Sequence, residues 1–149
     1  MPKYLSKTES LNEIKEQYLA RLGYISKGCP FIVPITYYYD EQENCIVAFS
    51  AEGHKIDGMR KNKTVCLYVD KVTSIKKWKS ILVHGMFEEL EVIDREFHLK
   101  KLGAGIKNIL ETKSKKMVRD IDTFSNIKYA VKDPIVYRIR IWDVSGRYM

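Results

Sequence analysis

The apolar residues of this chain fall into short runs rich in β-branched and aromatic side chains, separated by polar segments containing Gly, Pro, Asp or Asn. Such runs are typical of β-strands, and short connections between them favour antiparallel pairing. The pattern predicts six strands, at residues 22–26, 31–39, 45–50, 65–70, 80–90 and 135–142. A mainly β fold with flanking helices follows, and a six-stranded antiparallel barrel is the natural package.

Apolar residues also recur every three or four positions, which is the spacing of amphipathic helices. Ser10 and Glu13 form a capping box that places the start of the first helix. Asp94 is expected to cap a later helix that stops near Gly103. The pattern predicts helices at residues 11–20, 54–62, 94–103, 106–110 and 115–121.

Three features refine the predicted sheet. Pro34 lacks a backbone donor, which predicts an edge strand or a bulge. Gly85 lies inside a long strand and indicates a bulge or a barrel corner. Residues 71–79 are polar and basic, and we expect them to form a connection between strands.

Length and composition predict one domain over residues 1–149. The hydrophobic share of 45% is typical of a globular fold and too high for disorder. No run reaches the roughly 18 apolar residues of a membrane span. The first residues also lack the apolar segment of a signal peptide. We therefore expect a cytoplasmic protein with no membrane partner.

The net charge of +7 suits either a polyanion or a small phosphorylated ligand. Lysines cluster at residues 76–79 and 113–116, but neither cluster carries a nucleic-acid-binding motif, which favours solvated surface. His54, His84 and His98 are too scattered for a metal motif, and the three cysteines match no zinc or disulfide spacing. No metal site is predicted.

The most informative stretch runs from Phe49 to Asn62, where a strand leads through small residues into a short helix. Gly53 permits backbone angles that other residues resist. The helix start offers unpaired N–H groups to a phosphate. Lys55 and Arg60 add positive charge, and Ser50 adds a hydroxyl donor. We interpret this stretch as a phosphate-binding corner; the alternative is an ordinary turn with solvated basic residues.

Several motifs follow one another in a fixed order along the chain. They are Arg21-Leu22-Gly23, Pro30-Phe31-Ile32-Val33-Pro34-Ile35, Phe49-Ser50-Ala51-x-Gly53-x-Lys55, Met59-x-x-Asn62-x-x-Val65-Cys66 and Ser80-Ile81-Leu82-Val83-x-Gly85. This order resembles the pyridoxamine 5'-phosphate oxidase-like FMN-binding split-barrel family. Within it, the chain is most similar to the small proteins grouped with nitroimidazole-resistance reductases. The resemblance covers roughly residues 20–90 and extends to the final strand.

The resemblance implies a six-stranded split barrel that forms a homodimer with FMN between the subunits. Lys55 would pair with the FMN phosphate, helped by Ser50 and the backbone of Gly53 and His54. The formal positive charge of Arg60 would add to the stabilisation of that phosphate. The resemblance also implies that the flavin is lined by Val33, Pro34, Ile35, Thr36, Phe49, Ala51 and Ser80, with Trp78 and Trp142 from the partner subunit.

The function implied by the resemblance is that of an FMN-dependent oxidoreductase, in which the flavin carries the chemistry and no catalytic side chain is assigned. The true oxidases have an Arg-Lys pair where this chain has His54-Lys55, and their basic substrate pocket has no clear match here. Oxidation of pyridoxamine phosphate is therefore not expected. The alternatives are a non-catalytic flavin or haem binding module and a basic nucleic-acid-binding domain.

Overall fold

The computed structural model describes residues 1–113 and 134–149. These residues form eight strands and three helices in the order β1 (Lys3–Leu5), α1 (Lys7–Glu16), β2 (Leu19–Ser26), β3 (Cys29–Thr36), β4 (Tyr38–Asp40), β5 (Cys45–Ser50), α2 (His54–Lys61), β6 (Thr64–Ser74), β7 (Lys77–Glu89), α3 (Val92–Lys113) and β8 (Ile135–Tyr148). The mainly β prediction with flanking helices is confirmed.

The strands form one antiparallel sheet with the order β3-β2-β6-β7-β8-β5-β4. The end of β8 also pairs with β1. The outermost strands of this order, β3 and β4, do not pair with each other, so the sheet forms a split barrel that is not closed. The prediction of six strands omitted β1 and merged β3 with β4, which are separated at Tyr37.

One face of the sheet wraps around the main core. Leu22 on β2, Leu67 on β6 and Ile139 on β8 are fully buried in the same cluster. Ile14 of α1 and Ile56 of α2 enter this cluster from the helices. Both helices are therefore fixed to the sheet by buried side chains, which positions the loop that precedes α2.

The first helix begins earlier than predicted. Its N-cap is Ser6, whose side chain accepts a hydrogen bond from the backbone N–H of Glu9 at 3.1 Å. The chain contains two consecutive Ser-x-x-Glu motifs, at residues 6–9 and 10–13, and the first one caps the helix. Ser10 is instead buried and donates its hydroxyl to the Ser6 carbonyl at 2.8 Å. The predicted end was also too late, because residues 19 and 20 already pair with β3.

The prediction of a connection at residues 71–79 is wrong. β6 continues to Ser74 and β7 begins at Lys77, so this stretch is the end of a long hairpin. Lys71 pairs with Lys79 and Val72 with Trp78. The polar composition reflects exposure of this end of the hairpin to solvent.

The third helix was predicted to stop near Gly103. In the structure it continues to Lys113. It includes the turn predicted at residues 106–110, while the helix predicted at residues 115–121 lies outside the described residues. A Cβ at Gly105 would collide with the ring of Tyr38, so this glycine permits close packing of α3 on β4. In the described part of the chain, no helix is long and apolar enough to cross a membrane.

The predictions at Pro34 and Gly85 are confirmed. Pro34 lies on β3, which ends the sheet order, opposite Arg21. The pairing of β7 with β8 shifts register between His84 and Gly85, which is the expected bulge.

The carboxylate of Glu88 on β7 links two arginines of β8. Arg138 donates to Glu88 Oε1 at 2.8 Å, and Arg140 donates to Oε2 at 2.7 Å. These hydrogen bonds lower the pKa of Glu88 from 4.5 to about 2. The pairing therefore stabilises the folded state above pH 4.5, and this contribution is lost as the pH falls towards 2.

We expect Glu88→Gln to reduce the loss of stability in acid. The side chain of Glu88 is 42% exposed, so solvent screening limits the effect to about 1 kcal/mol. Urea unfolding at about pH 6 and about pH 2.5 checks this expectation. The variant should lose less unfolding free energy than the wild type between these values, and equal losses would contradict it.

Candidate functional site

The loop from Ser50 to His54 joins the end of β5 to an uncapped helix. Its N-cap residue is Gly53, which has no side chain to cap the first amides of the helix. The first helical bond runs from the N–H of Asp57 to the carbonyl of Gly53 at 3.0 Å. The amides of residues 54–56 precede it and are available to a ligand. Positive charge from the helix dipole adds to this site.

The prediction that Gly53 needs the conformational freedom of glycine is wrong. The φ of Gly53, 169°, is extended backbone that any residue adopts, and no atom of the described residues lies within 4 Å of a Cβ built there. The space in front of the helix at Gly53 is therefore open.

Lys55 is the first basic residue of α2, and its side chain is half-buried. Burial lowers the pKa of its ammonium group, and no other cause contributes. No carboxylate among residues 1–113 and 134–149 lies within salt-bridge distance of this ammonium group. A partly desolvated cation without a counter-ion favours an anionic ligand.

His54 is held by an aromatic cluster. Its Nδ1 lies 2.7 Å from the hydroxyl of Tyr24, and its ring meets the ring of Phe31 at 4.7 Å. Tyr24 is buried and stacks on Phe31 at 5.6 Å. The start of α2 is thereby fixed against β2 and β3. Sequence reasoning did not assign Tyr24 to the site, although its alternation with Leu22 would have placed it on the core face.

Arg60 lies in the last turn of α2 and is clamped by two carboxylates. It donates to both oxygens of Glu52 at 3.0 Å and to both oxygens of Glu89 at 2.8 and 2.9 Å. Glu52 belongs to the loop before α2, and Glu89 ends β7. The guanidinium therefore braces the loop, and its pairing with Glu89 lowers the pKa of that carboxyl.

The structure brings several predicted site residues close to this corner. Phe49 and Ser50 are half-buried at the end of β5, and Ala51 is exposed beside them. The Ser50 hydroxyl donates to the Ala51 carbonyl at 2.8 Å. The predicted residues on β3 alternate in exposure: Ile35 is buried, Val33 and Thr36 are half-buried, and Pro34 is exposed.

Within a single chain, Trp78 and Ser80 lie far from this corner. Ser80 pairs with Arg147 near the start of β7, whereas Glu89, the partner of Arg60, ends that strand. Trp78 exchanges backbone hydrogen bonds with Met149 at 2.9 and 3.1 Å. Trp142 lies beside the bulge, with its ring 5.4 Å from that of His84.

The outer side of the sheet carries exposed apolar side chains. Tyr68 on β6 lies opposite Leu82 on β7, and both are more than a third exposed. The exposed residues on neighbouring strands include Ile32, Met86 and Trp142. Exposed apolar side chains on one face of a sheet are typical of interaction surfaces.

A family model described as pyridoxamine 5'-phosphate oxidase matches residues 6–148. The chain belongs to this family. The match confirms the resemblance deduced from the motif order. A Rhizobium meliloti protein is 38% identical over 86 residues, which are 58% of this chain and 56% of that protein. The match thus spans little more than half the length of this relative.

Solved structures similar to this pyridoxamine 5'-phosphate oxidase family member include a FAD-binding protein from Mesorhizobium loti. It is 26% identical, with a TM-score of 0.74 and coverage of 100% of this chain and 99% of that one. A structure described as a 5-nitroimidazole antibiotic resistance protein, from Bacteroides thetaiotaomicron, is 16% identical, with a TM-score of 0.69 and coverage of 99% and 87%. A FAD and haem binding protein from Mycobacterium smegmatis is 13% identical, with a TM-score of 0.71 and coverage of 98% and 73%. The last two show the split-barrel fold alone.

Proposed function

We propose that this protein binds FMN and is an FMN-dependent oxidoreductase. The observation that carries the proposal is Lys55, a half-buried cation beside the open amides of α2 that has no carboxylate partner among the described residues. A phosphate dianion supplies the negative charge that both features favour. The FAD-binding relative from Mesorhizobium loti, similar over the whole chain, supports a flavin as the carrier of that phosphate.

In this proposal each residue of the corner has a physical role. Lys55 binds the phosphate through charge-assisted hydrogen bonds, and the amides of His54 and Ile56 donate to it. The Ser50 hydroxyl, which now donates to its neighbour's carbonyl, rotates to join them. Arg60 keeps the loop in place through Glu52.

The flavin ring would lie along β3. The residues assigned to it are Val33, Pro34, Ile35, Thr36, Phe49 and Ala51. The bound flavin would supply the acceptance and release of electrons. The protein would orient the ring and exclude water through these largely apolar strands.

We also propose a cytoplasmic homodimer built from one domain per chain. The exposed apolar residues of the sheet, among them Tyr68 and Leu82, support an interface. Two of the assigned residues, Trp78 and Ser80, are remote from the phosphate corner of their own chain, and Trp142 lies in the middle of the sheet. We propose that these three residues reach the flavin of the partner subunit.

The second candidate is a non-catalytic carrier of flavin or haem. The Mesorhizobium loti relative is described as FAD-binding, which favours a test of FAD beside FMN. Pyridoxamine phosphate is not proposed as the substrate, because the residue immediately before Lys55 is His54, where the oxidases have an arginine, and His54 is engaged by Tyr24.

The test is an absorption spectrum of the purified protein, recorded before and after addition of FMN or FAD and desalting. We expect a retained flavin band with FMN. Bleaching of that band by NADH or NADPH would support an oxidoreductase, whereas a band that persists under every donor would support a carrier. A protein that retains neither flavin would refute the proposal.

A further inference from the structure

Lysines gather at the end of the sheet remote from α2. Lys71 on β6 lies opposite Lys79 on β7, Lys79 lies opposite Tyr148 on β8, and Tyr148 lies opposite Lys3 on β1. Cross-strand partners project from the same face. The row therefore brings three ammonium groups and one phenol together. Directly opposed like charges destabilise a sheet, so this row favours a bound counter-charge.

A cavity of about 300 Å³ opens at this row. Its lining includes Lys71, Thr73, Lys77, Trp78, Lys79 and Tyr148. Ammonium and hydroxyl groups of these residues are hydrogen-bond donors to oxyanions. The volume matches the lower end of small-molecule sites.

The positive charge at this cavity is only partly neutralised. Lys79 Nζ lies 2.7 Å from Oε1 of Glu13, and this pairing, with smaller contributions from the charges of Glu16 and Glu9, raises the pKa of Lys79. Lys71 and Lys77 have no carboxylate within salt-bridge distance in the part of the chain that the structure describes. Two uncompensated ammonium groups therefore border the cavity.

This cavity is separate from the phosphate corner. Lys55 lies at the other end of the sheet, where α2 meets Glu89 through Arg60. Trp78 is the one residue that also belongs to the proposed flavin set.

We propose that this cavity binds the phosphate groups of a small phosphorylated molecule, separately from the flavin. The exposed lysines border one half-open pocket at the end of the hairpin instead of forming a stripe along the surface. That arrangement suits a compact anion better than a nucleic acid, whose phosphates are spread along a backbone.

The test is calorimetric titration of inorganic pyrophosphate into FMN-treated protein at constant ionic strength. We expect saturable binding, one pyrophosphate per chain, and an affinity about tenfold or more weaker in the double variant Lys71→Ala/Lys77→Ala. The variant should fold, because it removes repulsion between exposed lysines; its thermal midpoint checks this.

Lys76→Ala is the matched control. It removes one positive charge from the same hairpin, as each substitution of the double variant does, but Lys76 is not part of the lining. Pyrophosphate affinity should be nearly unchanged in this variant. Equal weakening by Lys76→Ala, or absence of saturable binding to the wild type, would overturn the proposal. If a duplex oligonucleotide bound more tightly than pyrophosphate, with a steep salt dependence, the lysines would form a nucleic-acid-binding surface and the proposal would be wrong.

A second control separates this site from the flavin. Lys55→Ala should leave pyrophosphate affinity unchanged, whether or not the protein retains FMN. If Lys55→Ala abolished pyrophosphate binding, the anion would occupy the corner at α2, and the second site would be refuted. The flavin spectrum of the same samples reports on the first proposal independently.

Discussion

Lys55→Ala should weaken FMN binding by about 1.5–3 kcal/mol, or roughly 10- to 150-fold. The ammonium group of Lys55 is half-buried and has no carboxylate partner in the described residues. A bound phosphate would be its principal counter-charge, and alanine would leave the open amides of α2 to hold the phosphate without it. Flavin fluorescence titration of both proteins measures the difference.

Lys61→Ala provides the matched control, because Lys61 lies in the last turn of the same helix and is exposed. Its FMN affinity should be nearly that of the wild type. If both variants bound FMN equally well, the phosphate would not lie at Lys55.

The same lysine predicts a pH dependence of binding. Its pKa is lowered below 10.5 by burial, and a phosphate would favour the charged form. FMN affinity should therefore fall as the pH rises through this lowered pKa. Lys55→Ala should lack that decline, and titrations at a series of alkaline pH values measure it. An identical decline in both proteins would contradict the assignment.

Gly85→Ala should destabilise the fold by about 1–3 kcal/mol. A Cβ at this position would lie 2.5 Å from the carbonyl oxygen of Arg140 and 2.5 Å from Cγ2 of Ile139. The first of these atoms belongs to the backbone of β8, which cannot move without disturbing the longest strand pairing of the sheet. Chemical unfolding of the variant and the wild type gives the difference in unfolding free energy.

Gly103→Ala supplies the control for the loss of a glycine. Among the described residues, no atom lies within 4 Å of a Cβ at Gly103, which occupies the interior of α3. Alanine should stabilise this helix by about 0.5–1 kcal/mol. Similar stabilities of the two alanine variants would show that the bulge at Gly85 tolerates a side chain.

The strands were predictable because their local composition agrees with their final environment. The errors arose where a distant contact decides the structure. Gly103 looked like a helix end, yet α3 continues because Gly105 permits close packing on Tyr38. The end of the β6–β7 hairpin looked like a loop, because its strands extend beyond the core and keep polar side chains.

The candidate corner was predictable for a related reason, since Ser50 to Lys55 are contiguous. The contacts that hold it are not local. His54 meets Tyr24, 30 residues away, and Arg60 meets Glu89, 29 residues away. An arginine near a predicted phosphate site looks like a ligand in the sequence. Only the fold shows that its donors already bind two carboxylates.

The two prolines of β3 bear on how this protein avoids aggregation. Pro30 and Pro34 lie on a strand that ends the sheet order and remove two backbone donors from it. The short strands β1 and β4, each three residues long, offer little backbone for pairing. An exposed edge is a template for an added strand, and these features blunt it. Association of two copies should therefore occur through the faces of their sheets, and growth by edge-to-edge strand addition should be suppressed.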